Sequence, residues 1–328
     1  MSGKKMIVIM LFVVLINGCT KPNSSSEVQQ RTEFLMSTMV TISYYDPAAE
    51  AAVTAAFAEM ERVEALMSAY IPTSDVSKIN TAPAGIPVTV SAETFAVIEE
   101  SLHYAALTGG AFDITIGPVL ELWDIPDNPG QIPAGEAIQA ALALVDYNSV
   151  VLDREHNTVT VNKPGMKLDL GGAAKGYALD RAREVMVARG VSSCLIDAGG
   201  DIVAVGARPG GEKFRIGVRH PRDTQEIITV VPISDYSIVT SGDYQRFFTK
   251  DGIRYHHIFD PQTGWPANSG LISATILCPS GLAGDILSTA VFILGTEKGL
   301  ALLETLPEIE GLLITEDMQI VSTPGFFS

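Results

Sequence analysis

Apolar and polar positions change period several times along the chain. Within Phe34–Tyr45, Val40, Ile42 and Tyr44 alternate with Thr41 and Ser43, the two-residue repeat of a half-buried strand. From Ala48 to Met67 the repeat lengthens. Asp46-Pro47 opens the stretch, and Val53, Phe57, Met60, Val63, Leu66 and Met67 fall on one helical stripe. Ser91–Leu107 predicts a second helix with Ser91 as N-cap, Thr94 at the third helical position and Gly109-Gly110 as the stop. A third helix is predicted at about Ala134–Val145. Strands follow near Ser149–Asp153, Thr158–Val161 and Lys167–Leu170, and a helix over Ala173–Ala188 starts directly after a glycine pair. Short strands then dominate, at Leu195–Asp197, Ile202–Val205, Phe214–Val218, Ile227–Val231, Ser237–Thr240, Tyr255–Phe259 and Ile272–Leu277. Helices at Gly284–Leu294 and Lys298–Leu303 precede a closing strand pair around Leu312–Thr315 and Ile320–Ser322. Because the strands cluster instead of alternating with helices, the pattern predicts an α+β fold in one compact domain of two lobes.

The first residues read as an address. Lys4 and Lys5 precede an apolar run, Met6–Ile16, which is too short for a permanent bilayer span but fits a secretory signal. Leu15-Ile16-Asn17-Gly18-Cys19 resembles a bacterial lipobox, so residues 1–18 are expected to be removed and Cys19 lipidated. The alternative is a plain signal peptide with an accidental cysteine. Thr20 after the cysteine favours the outer over the inner membrane among the lipoproteins this resembles. The Ser-, Asn- and Pro-rich residues up to Gln30 read as a tether (19–30), leaving 31–328 as one domain. The expected location is the cell envelope, lipid-anchored and facing the periplasm.

With 47% hydrophobic and 18% charged residues among 328, the chain is not a disordered one. A net charge of −16 excludes nucleic acid as the natural partner but leaves room for a phosphorylated ligand held by local groups. Cys194 and Cys278 lie in apolar strand-like runs and could pair or remain buried thiols.

Four stretches carry chemistry. Leu168-Asp169-Leu170-Gly171-Gly172-Ala173-Ala174-Lys175-Gly176 feeds a strand through small residues into a helix start. That arrangement suits either tight packing or an anion at the free N–H groups. In Gly284-Asp285-Ile286-Leu287-Ser288-Thr289, Asp285 and Thr289 share one helix face, which makes either an oxygen-only Mg²⁺ set with a nearby carbonyl or a dipole-favoured acid. His256-His257, adjacent in a strand, point to opposite faces. They cannot readily chelate one metal, but one of them facing a cleft could act as a general base, and the following Asp260-Pro261-Gln262-Thr263-Gly264 is a good turn. Gly109-Gly110-Ala111-Phe112-Asp113 could sandwich a ring or simply bend the chain.

Taken in order, these blocks resemble the ApbE family of flavin transferases over about Arg31–Thr315. Further matching pieces are Ser68-Ala69-Tyr70, Ser74–Asn80, Asp197-Ala198-Gly199-Gly200-Asp201-Ile202 and Thr240–Phe247. The resemblance implies mixed sheets with flanking helices in two lobes around a central cleft, and Mg²⁺-dependent cleavage of FAD bound there. FMN would be attached through a phosphoester to a Thr or Ser of an acceptor flavoprotein, such as a redox-driven ion-pump subunit, and AMP released. FAD pyrophosphatase activity and a non-catalytic FAD-binding lipoprotein are the alternatives. A solute-binding protein fits less well, since two similar hinged lobes are not evident. Carried onto matching positions, Met36, Tyr70, Ala111, Phe112, Asp113, Asp169, Lys175 and Ile258 would bind FAD. Gly172 through its carbonyl, Asp285 and Thr289 would hold Mg²⁺, and His257 would face the acceptor hydroxyl as the catalytic base. The family's usual Met-Gly-Thr stands here as Met36-Ser37-Thr38, a side chain where glycine is usual.

Overall fold

The computed structural model describes residues 27–125, 127–223 and 225–327. The signal, the lipobox and Cys19 lie outside the described residues. The first elements are a hairpin, β1 (Gln29–Leu35) and β2 (Thr38–Tyr44), then α1 (Glu50–Met67), α2 (Asp75–Thr81), β3 (Val88–Thr89) and α3 (Ala92–Leu107). Next come α4 (Gly117–Trp123), α5 (Gly135–Leu142), β4 (Val150–Asp153), β5 (Thr158–Val161) and α6 (Ala174–Ala188). The second half contains β6 (Ser193–Ala198), β7 (Asp201–Gly206), β8 (Phe214–Arg219), β9 (Ile227–Ile233), β10 (Ser237–Gly242), β11 (Phe247–Lys250) and β12 (Ile253–His256). β13 (Leu271–Cys278), α7 (Gly281–Leu303), β14 (Glu310–Thr315) and β15 (Ile320–Ser322) close the chain.

An eight-stranded antiparallel sheet in the order β1-β2-β6-β7-β10-β13-β14-β15 is the scaffold. One face is covered by α1, α6 and α7. The stripe Val53, Phe57, Met60, Val63 and Met67 is buried there as its period requires, each side chain stabilising by about 1.5–3 kcal/mol. The other face packs on the β8–β9 hairpin through Phe214, Ile216, Val218, Val231 and Ile233. α7 is apolar nearly all round, the composition of a helix enclosed by protein, and it breaks at Gly295 (φ 81°) into the two segments the sequence predicts. A smaller body gathers α4, α5 and the β11–β12 hairpin around Trp123, whose indole N–H donates to the Gly264 carbonyl at 2.9 Å. The fold is α+β.

Several elements differ from expectation. Phe34–Tyr45 is not one strand: the chain reverses at Met36-Ser37, both at positive φ (50° and 58°), as in a type I′ hairpin turn. Neither residue is one that normally marks such a turn. This backbone conformation favours glycine, yet position 37 carries a serine. β1 starts at Gln29, so the end of the expected tether is already strand. Lys167–Leu170 makes only an isolated bridge from Lys167 to Ile116, because the Asn80 side chain takes both the N–H (2.7 Å) and the carbonyl (2.8 Å) of Leu168. The third helix is shorter than expected, and the strand expected at Tyr255–Phe259 ends at His256. Cys194 and Cys278 are unpaired and buried, and burial pushes both thiols up to about 12.

Two substitutions test these points. Ser37→Gly removes a left-handed side-chain cost of about 1–2 kcal/mol, partly offset by a freer unfolded chain, so unfolding in urea should show a net gain of about 0.5 kcal/mol. Gly176→Ala would drive a Cβ into the Gly281 carbonyl where α6 meets α7, and should cost about 2–3 kcal/mol by the same measurement.

Candidate active site

The starts of α6 and α7 meet at a glycine contact. A Cβ on Gly281 would lie 2.6 Å from the Gly176 carbonyl oxygen, so only two glycines allow this approach. Each helix caps the other. Asp180 of α6 accepts the N–H groups of Gly281 (2.8 Å) and Leu282 (3.0 Å) at the start of α7. Asp285 of α7 accepts the N–H of Gly176 (2.9 Å) in the first turn of α6. These contacts bring the Gly171-Gly172 turn beside Asp285 and Thr289. The approach is close: a Cβ on Gly172 would lie only 3.7 Å from Thr289 Oγ1 and 3.1 Å from Phe112 Cε2.

A cleft of about 1100 Å³ opens over this junction and runs between the main sheet and the smaller body. Met36, Tyr70, Ala111, Phe112, Asp113, Asp169, Gly172, Lys175, His257, Ile258, Asp285 and Thr289 all lie along it, so every predicted site residue within the described chain faces one cavity. Tyr70 is exposed at its rim, and Ala111, Phe112 and Ile258 are buried in its wall.

Individual groups do different work than their types alone suggest. The Asp113 carboxylate is taken up by the Thr115 N–H and hydroxyl (both 2.7 Å) and the Tyr147 N–H (3.1 Å), so it bends the loop while Phe112 packs at the glycine turn. Burial raises its pKa, and burial also raises that of Asp169, which accepts the Gly171 N–H at 2.7 Å. Four amides of the glycine loop are not free for an anion, one of the two readings of that sequence. Gly171 and Gly176 instead donate to Asp169 and Asp285, and Ala173 and Ala174 donate to the Leu170 carbonyl, because amides in so tight a turn find protein acceptors first. Lys175 likewise points its ammonium at acids: it is ion-paired with Asp201 and lies 3.4 Å from Asp285 Oδ1.

The two histidines diverge as strand geometry requires. His256 is buried, donating from Nε2 to the Ala267 carbonyl (3.0 Å) and accepting the Ile258 N–H at Nδ1 (3.2 Å). His257 faces the cleft. Its Nδ1 lies 3.2 Å from the Arg246 carbonyl, which can only accept, so the proton resides on Nδ1 and Nε2 keeps its lone pair. Burial, with Arg246 adding to it, pulls the imidazole down to about 4 and keeps it neutral at physiological pH.

The donors at the glycine turn suit a hard cation. Asp285 offers a carboxylate oxygen whose partner oxygen is fixed by Gly176, Thr289 offers a hydroxyl, and Gly172 a backbone carbonyl. Among the described residues no group of three or more His, Cys, Asp or Glu forms, so a metal here would rest on this mixed oxygen set. Three cleft residues have roles that the sequence does not assign. Asp201 pairs with Lys175, Ser241 bonds to Ser288 (2.9 Å) and Thr289 (3.3 Å), and Arg246 orients His257. Their motifs are visible in the sequence, but their roles depend on which strands become neighbours.

Comparison with known proteins places the chain in a family. The ApbE family model matches residues 36–313. The FAD:protein FMN transferase of Treponema pallidum (strain Nichols) is 35% identical over 313 residues, covering 90% of this chain and 86% of that protein. The FAD:protein FMN transferase of Klebsiella pneumoniae (strain 342) is also 35% identical, covering 91% and 92%. Among solved structures, the ApbE protein of Thermotoga maritima superposes with a TM-score of 0.85 at 34% identity, covering 92% of this chain and all of that one. The flavin transferase ApbE of Vibrio cholerae superposes with a TM-score of 0.83 at 30% identity, covering 92% and 98%. The chain belongs to the ApbE family.

Proposed function

We propose that this protein is an FAD:protein FMN transferase. It would cleave the pyrophosphate of FAD, join the FMN phosphate to a Thr or Ser hydroxyl of an acceptor flavoprotein, and release AMP. The observation that carries this reading is one cleft, large enough for a dinucleotide, in which a set of oxygen donors, a lysine and a neutral histidine converge. The relatives named FAD:protein FMN transferase support the same assignment.

Asp285, Thr289 and the Gly172 carbonyl would hold Mg²⁺, which when bound supplies positive charge against the pyrophosphate and the departing AMP. The protein's own groups do the rest. Gly176 fixes the rotation of the Asp285 carboxylate, and Ser241 orients the Thr289 hydroxyl. Phe112 and Ile258 offer apolar surface, and Tyr70 an exposed aromatic face, to the rings of the substrate. His257, already neutral, takes the proton of the incoming hydroxyl on Nε2 while Nδ1–H stays on the Arg246 carbonyl. If water enters in place of the acceptor, the products are FMN and AMP. The N-terminal address extends the reading to an exported, lipid-anchored enzyme whose acceptor is a membrane-associated flavoprotein, such as a subunit of a redox-driven ion pump.

The test is to mix the protein with FAD and Mg²⁺, with and without an acceptor flavoprotein, and follow AMP and covalently bound flavin. Both products are expected with acceptor. AMP alone would reassign the protein as a pyrophosphatase, and neither product would leave only a flavin-binding role. Asp285→Ala, or chelation of divalent cations, should abolish AMP release, and full activity in chelator would remove the metal from the reading. His257→Ala should slow transfer by about 10²–10⁴-fold with FAD affinity retained. Because the free His257 is neutral down to about pH 4, the acid limb of kcat/KM should fall well below the usual imidazole value of 6.5. A midpoint at 6.5 would show that this histidine is not the titrating base.

A further inference from the structure

Lys175 sits between two buried acids borne by different layers of the fold. Asp201, the first residue of β7, is ion-paired with it, and its Oδ1 is fixed on the sheet by the Thr240 N–H at 3.0 Å. Asp285 reaches the same ammonium from α7, with its Oδ1 3.4 Å away and its Oδ2 held by the Gly176 N–H. Each carboxylate is thus tied to a backbone amide through one oxygen and shares the single lysine through the other. The sharing is unequal, with the ammonium drawn to the Asp201 side.

That inequality has a consequence for Asp285. The oxygen that faces Lys175 belongs to the carboxylate that would receive a divalent cation, and an ammonium seated fully on it would compete with the metal both for the lone pairs and by like charge. Both acids are buried, so screening by water is weak and the lysine must rest on one or the other. We propose that Asp201 is a positioning residue that draws Lys175 off Asp285, and that without it the lysine becomes a built-in competitor for the metal-binding carboxylate. This inference rests on the reading of Asp285 as a metal ligand.

Binding of Mn²⁺ to the protein without FAD, followed by the electron paramagnetic resonance signal of free Mn²⁺, tests it apart from turnover. Asp201→Asn should weaken Mn²⁺ binding tenfold or more. Adding Lys175→Met to that variant should recover the affinity by a much larger factor than the same change gives in the unaltered chain. Lys175→Met alone should gain less than about threefold, since Asp201 already holds the lysine, and this variant tests the proposal even if Asp201→Asn fails to fold. Equal factors in both backgrounds, unchanged binding by Asp201→Asn, or a gain of tenfold from Lys175→Met alone would each overturn the proposal and leave the metal site standing. No Mn²⁺ binding by the unaltered protein would instead overturn the metal reading and the inference with it.

Discussion

Two aspartates exchanged between the starts of α6 and α7 set the geometry on which the cleft depends. A helix start leaves N–H groups without helical acceptors, and burying them unpaired costs about 1–3 kcal/mol each. Here Asp180 serves Gly281 and Leu282, and Asp285 serves Gly176, so each helix satisfies part of the other's deficit. The exchange works only at the separation that Gly176 and Gly281 permit. Once it forms, the backbone positions of Lys175, Asp285 and Thr289 are set relative to the glycine turn. Asp180 also receives the Ser280 hydroxyl and Arg183, which anchors the junction away from the cleft as well as within it.

The cleft mixes both signs of charge. The chain carries −16, and the cavity is lined by Glu64, Glu121, Asp124 and the aspartates already described as well as by Lys175, Arg215, Arg219 and Arg246. A summed charge governs solubility and long-range steering, while an anionic substrate answers to the few cations within a Debye length. The acids of the cleft are correspondingly constrained. Asp113, Asp169 and Asp197 have pKa values raised mainly by burial, so the folded state binds protons more tightly than the unfolded chain, and each group lowers stability as pH rises past its ordinary value. Each of the three also ties a turn of the cleft wall, Asp113 through Thr115, Asp169 through Gly171 and Asp197 through the Gly200 N–H at 2.8 Å.

What the sequence disclosed followed from the range of each interaction. The stripe of α1 and the N-cap of α3 at Ser91, which accepts the Thr94 N–H, depend on residues three or four apart and were legible. α2 and α4 span seven residues each, too few for a helical period to emerge, and the β11 run Phe247-Phe248-Thr249-Lys250 shows no alternation. The turn at Met36-Ser37 was hidden because neither residue advertises positive φ. Lys167–Leu170 misled because an asparagine side chain, 88 residues earlier than Leu168, stands in for a strand. The same limit applies to the site. The loop and helix motifs named the residues of the cleft, but the pairing of Lys175 with Asp201 required the approach of α6 to β7, which no local spacing encodes.

The two adjacent histidines show how little separates a structural group from a chemical one. Both rings are largely enclosed, both have lowered pKa values, and both use one nitrogen on a backbone carbonyl. The difference lies in the second nitrogen. In His256 the Ile258 N–H fills the remaining lone pair, so the ring can neither accept nor release a proton without breaking the strand end. His257, on the opposite face, keeps that lone pair in the cavity. Its low pKa makes it a weak base in the resting protein, but a dianionic pyrophosphate brought beside it would favour the imidazolium and raise its proton affinity where a proton has to be taken. On the proposed reading, a base that strengthens when substrate arrives stays neutral until it is needed, and the placement of one ring just after β12 with its Nδ1 committed to Arg246 would serve that end.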